Sequence, residues 1–406
     1  MYLDRKTDMI TAGGRHPIKA NYTVGFKTDG KITALHVDLF IDAGFSLDIS
    51  PLMPRYIISA MNKYNWGALS FDYKICKTNL PSKSAMRGPG EAQGSFIAET
   101  IIEHVASILG FDSNVVREKN RHTLESVKFF YGSSVESPIG YTFPLIWEKL
   151  KQSASLNERM ENIREFNAAN RWFKRGLSMV PCFYPLKLSS RPARVTIFDD
   201  GSIAVEVGGV ELGQGISTKA DSISLAHGGL TAGSTTSEDS CEAVRHACNI
   251  LIERLHPTET LLKKSNPNGF SWTDLVLQAK AQSVDLSAQI YWVPDSSASN
   301  YLNYGAAASE VEVDLLSGAT TILQTDIIYD CGRSLNPAVD LGQIEGAFVQ
   351  GIGFYMMEEH VVDENGKLLS DGTWTYKVPT IDTIPRKFNV EILNSPLHQK
   401  RILSSK

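Results

Sequence analysis

The sequence predicts an α+β protein of two domains, with antiparallel or mixed sheets and long helices, and three observations carry that prediction. Four hairpin signals each place a glycine after an Asp, Ser or Asn between alternating apolar runs. Two apolar stripes recur at helical spacing. Strand and helix patterns nowhere alternate as βαβ units, which argues against a doubly wound parallel sheet.

In chain order, Val24-Gly-Phe26 and residues 32–41 flank Asp29-Gly30 as an antiparallel pair. Phe96, Ile97, Ile101, Val105, Ile108 and Leu109 form a helical stripe that ends at Gly110, a residue suited to a left-handed C-terminal cap. Residues 141–175 are polar with a helical pattern, and they divide a strand-rich first part from a strand-rich second part. The expected domains are therefore 1–150 and 151–406. Val195-Thr-Ile-Phe198 and Ile203-Ala-Val-Glu-Val207 flank Asp199-Asp-Gly201 as a second hairpin. A second helical stripe, Cys241, Val244, Ala247, Cys248, Leu251, Ile252 and Leu255, puts two cysteines on a packing face. Two further hairpins turn at Ser317-Gly318 and at Asn365-Gly366, the latter joining Glu359-His-Val-Val362 to Lys367-Leu-Leu369.

Composition narrows the function. The 406 residues are 42 % apolar and 21 % charged, as in an ordinary globular protein. Forty Lys and Arg against forty-five Asp and Glu give a net charge of −5, the wrong sign for a phosphate-tracking surface, so no nucleic-acid partner is expected. The five cysteines are widely spaced without a C-x-x-C pair, and the nine histidines form no H-x-x-x-H or H-E-x-x-H pair. A metal held by side chains is therefore not expected. No run of 18 apolar residues and no signal-peptide core occur, so the reading is cytoplasmic with no membrane partner.

Four glycine-rich segments combine glycine with amide, hydroxyl or carboxylate side chains where a strand pattern passes into a helix pattern. They are Met86-Arg-Gly-Pro-Gly-Glu-Ala-Gln-Gly94, Gly208-Gly-Val-Glu-Leu-Gly-Gln-Gly215, Thr231-Ala-Gly-Ser-Thr-Thr-Ser-Glu238 and Leu341-Gly-Gln-Ile-Glu-Gly-Ala-Phe-Val-Gln-Gly351. Such segments let backbone N–H groups approach a phosphorylated, heteroatom-rich cofactor closely. Singly, each also reads as a cap or turn. Arg87 can neutralise a buried phosphate or oxyanion, or make a plain surface ion pair. Glu91, Glu211, Glu238 and Glu345 are weak catalytic candidates, because carboxylates at helix starts ordinarily offset the dipole.

As an ordered set these segments, with Gly13-Gly-Arg-His-Pro17, Cys76-Lys-Thr-Asn-Leu-Pro-Ser82 and Cys331-Gly-Arg-Ser-Leu-Asn-Pro-Ala-Val-Asp340, closely resemble the molybdenum-cofactor portion of the xanthine dehydrogenase and aldehyde oxidase family, in glycine-rich detail most like plant aldehyde oxidases. The resemblance implies a hydroxylase whose molybdenum is held by a molybdopterin dithiolene. Arg87, Gln214, Gly233, Ser234, Thr236 and Gln343 would then bind the cofactor. The full-length enzyme would also carry FAD and two 2Fe-2S iron–sulfur clusters, oxidise an aldehyde to a carboxylic acid with water as oxygen source and O2 as final acceptor, and form a homodimer.

The resemblance also marks departures. The family's catalytic glutamate, in a Gly-Glu-Pro-Pro motif, would lie beyond Lys406, so no catalytic residue is assigned and both domains are expected to be incomplete, the first at its start and the second at its end. The isolated chain is accordingly expected to be inactive. Residues 220–230 are shorter than in relatives, which should remove a packed layer and leave apolar surface. Arg55 falls where purine-oxidising relatives have a substrate arginine. Against the purine alternative, Leu186-Lys-Leu-Ser-Ser190 lacks the Phe-Thr pair and Pro89 stands where those enzymes have an aromatic. A non-catalytic remnant is the third reading.

Overall fold

The computed structural model describes residues 2–132, 140–220, 223–224, 228–295 and 300–393. Its contacts divide the chain into two compact units. The first takes the described residues of Met1–Tyr184, Tyr304–Asp330 and Ile344–Glu391, and the second those of Pro185–Asn303, Cys331–Gln343 and Ile392–Lys406.

In the first unit Ile18–Phe26 and Ile32–Gly44 pair antiparallel around Asp29-Gly30, as their alternation predicts. Ala68–Lys77 then adds to the other side of Ile32–Gly44, but in parallel. That strand was not anticipated, because its exposed polar positions dilute the apolar ones, and its crossover through the helix Met53–Met61 makes the sheet mixed. Val37, Leu39 and Ile41 point into a core completed by Met53, Ile57, Met61, Tyr64 and Trp66. Against them packs the helix Glu91–Leu109 through Ala98, Ile101, Ile102 and Val105, and it ends as expected at a left-handed Gly110. A Cβ at Gly94 would stand 2.3 Å from the Ile57 carbonyl oxygen, so this residue must be glycine for the two helices to meet.

Residues 141–175 contain the helices Phe143–Ser153 and Leu156–Ala169, in agreement with their polar helical pattern. A four-stranded sheet follows in the order Lys387–Ile392, Thr320–Asp330, Asn300–Asp314, Phe173–Lys187, with Ser317-Gly318 closing its central antiparallel hairpin. The hairpin expected at Asn365-Gly366 forms only its turn. A single bridge, Val362 to Leu368, replaces the two strands, because segments of four and three residues offer too few ladder bonds.

The second unit is built on a sheet in the order Ile223–Ser224, Ile203–Val207, Arg191–Ile197, Ser287–Trp292. The helix Thr236–Ser265 covers it with Ala247, Leu251 and Leu255, and Trp272–Ala281 adds Leu275, Val276 and Ala279. Cys241 and Cys248 are half-buried beside this stripe, less enclosed than the sequence pattern suggests. Among the described residues, Ile223 and Ser224 pair in parallel with the outer side of Ile203–Val207. Val210 and Leu212, before the stretch 220–230, and Leu230 at its end are 52 %, 70 % and 76 % exposed. All five cysteines are thiols. Among the described residues no single helix is long and apolar enough to cross a membrane.

Candidate cofactor site

In the first unit the Met86–Gly94 segment is a loop followed by the first turn of Glu91–Leu109. Gly88 at φ +67° and Gly90 at φ +80° give the backbone two conformations that L side chains disfavour. Gly90 also fits against Tyr56 and Met53, whereas a Cβ on Gly88 would meet nothing within 4 Å. Arg87 is exposed, and its guanidinium lies 3.7 Å from the place a Cβ would take on Gly346. Beneath the loop, Arg15 donates to three successive carbonyls, those of Met86, Arg87 and Gly88. Glu91 has one buried carboxyl oxygen without a hydrogen-bond partner, and burial raises its pKa to about 7 despite Arg15 nearby. Arg55, on Met53–Met61, is exposed.

The second unit gathers the other candidates at the starts of helices. In the loop 208–215, Gln214 braces its own turn: its carbonyl oxygen accepts from Leu212 N–H at 2.6 Å and its amide donates to the Val210 carbonyl at 2.7 Å. Glu211 accepts from the N–H groups of Gly213, Gly215 and Ser217 at 2.8, 3.0 and 3.0 Å. Slight burial works against its charge, but these donors hold its pKa below the usual range, which makes it a poor base. Gln343, on the helix Pro337–Met356, donates to the Gly213 carbonyl at 2.9 Å, so the structure brings Gln214 and Gln343 to one loop.

Gly233 and Ser234 both have positive φ and turn the chain into Thr236–Ser265. Thr236 is buried and accepts from Arg191 at 3.1 Å, so its hydroxyl is committed inside the protein. Arg191 was not anticipated. Only 3 % exposed, it also donates to the carbonyls of Gly228 and Leu230 and ties down the end of the shortened stretch. Glu238 is buried and accepts from the Tyr301 hydroxyl. Asp239 and Ser240 are fully enclosed, each with a side-chain oxygen lacking a hydrogen-bond partner.

These residues suit a polar cofactor carrying both donors and acceptors. Added Cβ atoms at Gly213, Gly233 and Gly342 would meet nothing within 4 Å. Gly342 has ordinary helical backbone, where glycine costs about 1 kcal/mol relative to alanine, so neither strain nor packing demands it. The space beside it leaves room for a ligand to approach that helix face closely. The only group of three ligand-type side chains that the described residues bring together is His36 and Asp38, both half-buried, with the exposed Asp72; His36 lies 3.5 and 4.0 Å from the two carboxylates.

Comparison with known proteins agrees with this reading. The family described as molybdopterin cofactor-binding domain matches residues 1–121 with one of its parts and 149–227 and 218–385 with another. The two segments of the second match overlap at 218–227, across the start of the stretch 220–230. The chain is 57 % identical to indole-3-acetaldehyde oxidase of Zea mays and 52 % identical to abscisic-aldehyde oxidase of Arabidopsis thaliana, in each case over its whole length. It spans about a third of those proteins, 32 % and 33 %. Among solved structures, quinoline 2-oxidoreductase of Pseudomonas putida 86 superposes with a TM-score of 0.81 at 21 % identity, covering 98 % of this chain and 57 % of that one. The aldehyde oxidoreductase of Desulfovibrio desulfuricans gives 0.74 at 21 %, covering 97 % and 45 %. The chain belongs to the molybdopterin cofactor-binding domain family, and its cofactor is molybdenum–molybdopterin.

Proposed function

We propose that the protein carrying this chain is a molybdenum hydroxylase of the aldehyde oxidase type, oxidising an aldehyde to a carboxylic acid with water as oxygen source and O2 as final acceptor. The observation that carries the reading is the glycine-lined loop held by Glu211, Gln214 and Gln343, with open space above Gly213 and Gly342. Gln214, Gln343, Gly233, Ser234 and the Thr236 backbone would hold the cofactor, and Arg87 would neutralise its anionic groups. When bound, the molybdenum centre supplies the oxidising chemistry. The chain's own residues orient it, and the backbone of the glycine loops excludes water from it. FAD and two 2Fe-2S clusters would accompany it in the full-length enzyme, which we read as a cytoplasmic homodimer with a two-domain cofactor region divided near residue 150. Relatives named for indole-3-acetaldehyde and abscisic aldehyde support an aldehyde over a purine.

Elemental analysis of the full-length protein, produced in a host that makes molybdopterin, tests the assignment. One molybdenum per chain is expected; iron or zinc without molybdenum would overturn it. Gln214→Ala should lose most of the molybdenum together with turnover, and full retention of both would make Gln214 a turn residue only. A higher kcat/KM for hypoxanthine than for an indole aldehyde would favour the purine reading and restore Arg55 as a substrate ligand.

A further inference from the structure

We propose that Arg15 is a positioning residue that aims Arg87, a role that rests on the reading of Arg87 as a cofactor-facing cation. Its guanidinium spans the loop from below. One terminal nitrogen donates to the Met86 carbonyl at 3.2 Å and the Gly88 carbonyl at 3.4 Å, and the other to the Arg87 carbonyl at 2.7 Å. The Met86 and Arg87 carbonyls belong to the two peptide planes that flank the Arg87 Cα. Because each plane is rigid, fixing both fixes the φ and ψ of Arg87 and hence the direction in which its side chain leaves the backbone. Gly88 sits at φ +67° with open space where a side chain would be, and glycine is the residue that most readily samples other conformations.

Arg15 is itself held from the other side. Its guanidinium carbon lies 4.7 Å from the centre of the Phe354 ring, a cation–π contact that leaves the in-plane N–H groups aimed at the carbonyls. Phe354 and Gly346, the residue beside the Arg87 guanidinium, lie on one helix, Pro337–Met356. Arg15 therefore ties the loop to the same helix that the Arg87 guanidinium lies beside. The fork is what matters: a lysine keeps the charge but presents a point donor that cannot span three carbonyls in one plane.

Hydrogen exchange and limited trypsin digestion of the full-length protein test the clamp without reference to turnover. In Arg15→Lys and Arg15→Ala, exchange of the amides of Arg87, Gly88 and Gly90 and cleavage after Arg87 should each rise at least tenfold, while the melting temperature stays close to that of the parent. Millimolar guanidinium should restore protection to Arg15→Ala and leave Arg15→Lys unchanged. Should Arg15→Ala fail to fold, Arg15→Lys carries the comparison. In the loaded enzyme Arg15→Lys should lower kcat with KM little changed. Unaltered exchange and cleavage in Arg15→Lys would overturn the clamp. Arg87→Ala with unchanged turnover would instead overturn the reading of Arg87 and leave the exchange result standing.

Discussion

Replacing Asp239 by Asn should stabilise the protein increasingly as pH rises from about 4 to about 7. Asp239 is fully enclosed near the start of Thr236–Ser265. One of its oxygens accepts from Ser189 N–H at 3.1 Å and the other has no hydrogen-bond partner. Its nearest cation, Arg191 Nε, is 3.9 Å away and itself without an acceptor, too far for a charge-assisted bond. Burial pushes its pKa from 3.8 up to about 7, against the opposing pull of Ser189, Thr235 and Arg191. A carboxyl with a raised folded pKa contributes fully below the unfolded pKa, and that contribution is lost as pH climbs through the folded one. The gap of about three pH units, at about 1.4 kcal/mol each, bounds the loss at about 4 kcal/mol, acquired between about pH 4 and pH 7 and constant above. Asn keeps the acceptor for Ser189 but never ionises. Any cost of placing its amide is independent of pH, so the difference between variant and parent isolates the carboxyl. Urea denaturation of both proteins at unit steps from pH 4 to pH 8 should show that difference growing by about 2 to 4 kcal/mol. Parallel stability curves would refute the argument and mean that the Asp239 carboxylate is satisfied.

Glu99 carries the opposite sign. Burial disfavours its charge, but Lys63 and Arg117, at 2.7 and 2.8 Å, outweigh that and hold its pKa below the usual range. Since both cations are nearly fully buried, Glu99→Gln should cost about 3 to 5 kcal/mol, read as a fall in the urea midpoint at pH 7. Gly342→Ala fills empty space with a better helix former and should raise the stability of the cofactor-free protein by about 0.5 to 1 kcal/mol while reducing retained molybdenum. A rise in stability with full molybdenum content would show that nothing approaches that helix face.

Features set by neighbours in sequence were legible. The turns at Asp29-Gly30, Asp199-Asp-Gly201 and Ser317-Gly318 and the cap at Gly110 all form as read, because positive φ and period-two alternation are local requirements. Features set by distant pairing were not. Ala68–Lys77 reads as polar, and it is a strand because the sheet face it completes lies some thirty residues back in the chain. Arg191 stands beside Arg194 in Arg191-Pro-Ala-Arg194, yet only Arg191 turns inward to the Gly228 and Leu230 carbonyls, and period two along a strand cannot choose between residues three apart without knowing which face is covered. Arg15 was visible as part of Gly13-Gly-Arg-His-Pro17, but its acceptors lie about seventy residues away.

The two glutamines show how a turn residue and a cofactor ligand can be the same residue. A side-chain amide has two N–H donors and two acceptor lone pairs. Gln214 commits one donor to the Val210 carbonyl and one lone pair to Leu212 N–H, both inside its own turn. Those two bonds fix the amide plane and leave one donor and one lone pair to face outward. Gln343 adds a tether from the helix Pro337–Met356 to the Gly213 carbonyl, so the loop at Gly213-Gln214 is held from both sides. The cost of ordering that loop is met within the protein before a ligand arrives, which favours tight binding. An amide can therefore brace the loop and present the pair of groups that a pterin edge would meet, whereas alanine at 214 would remove both at once.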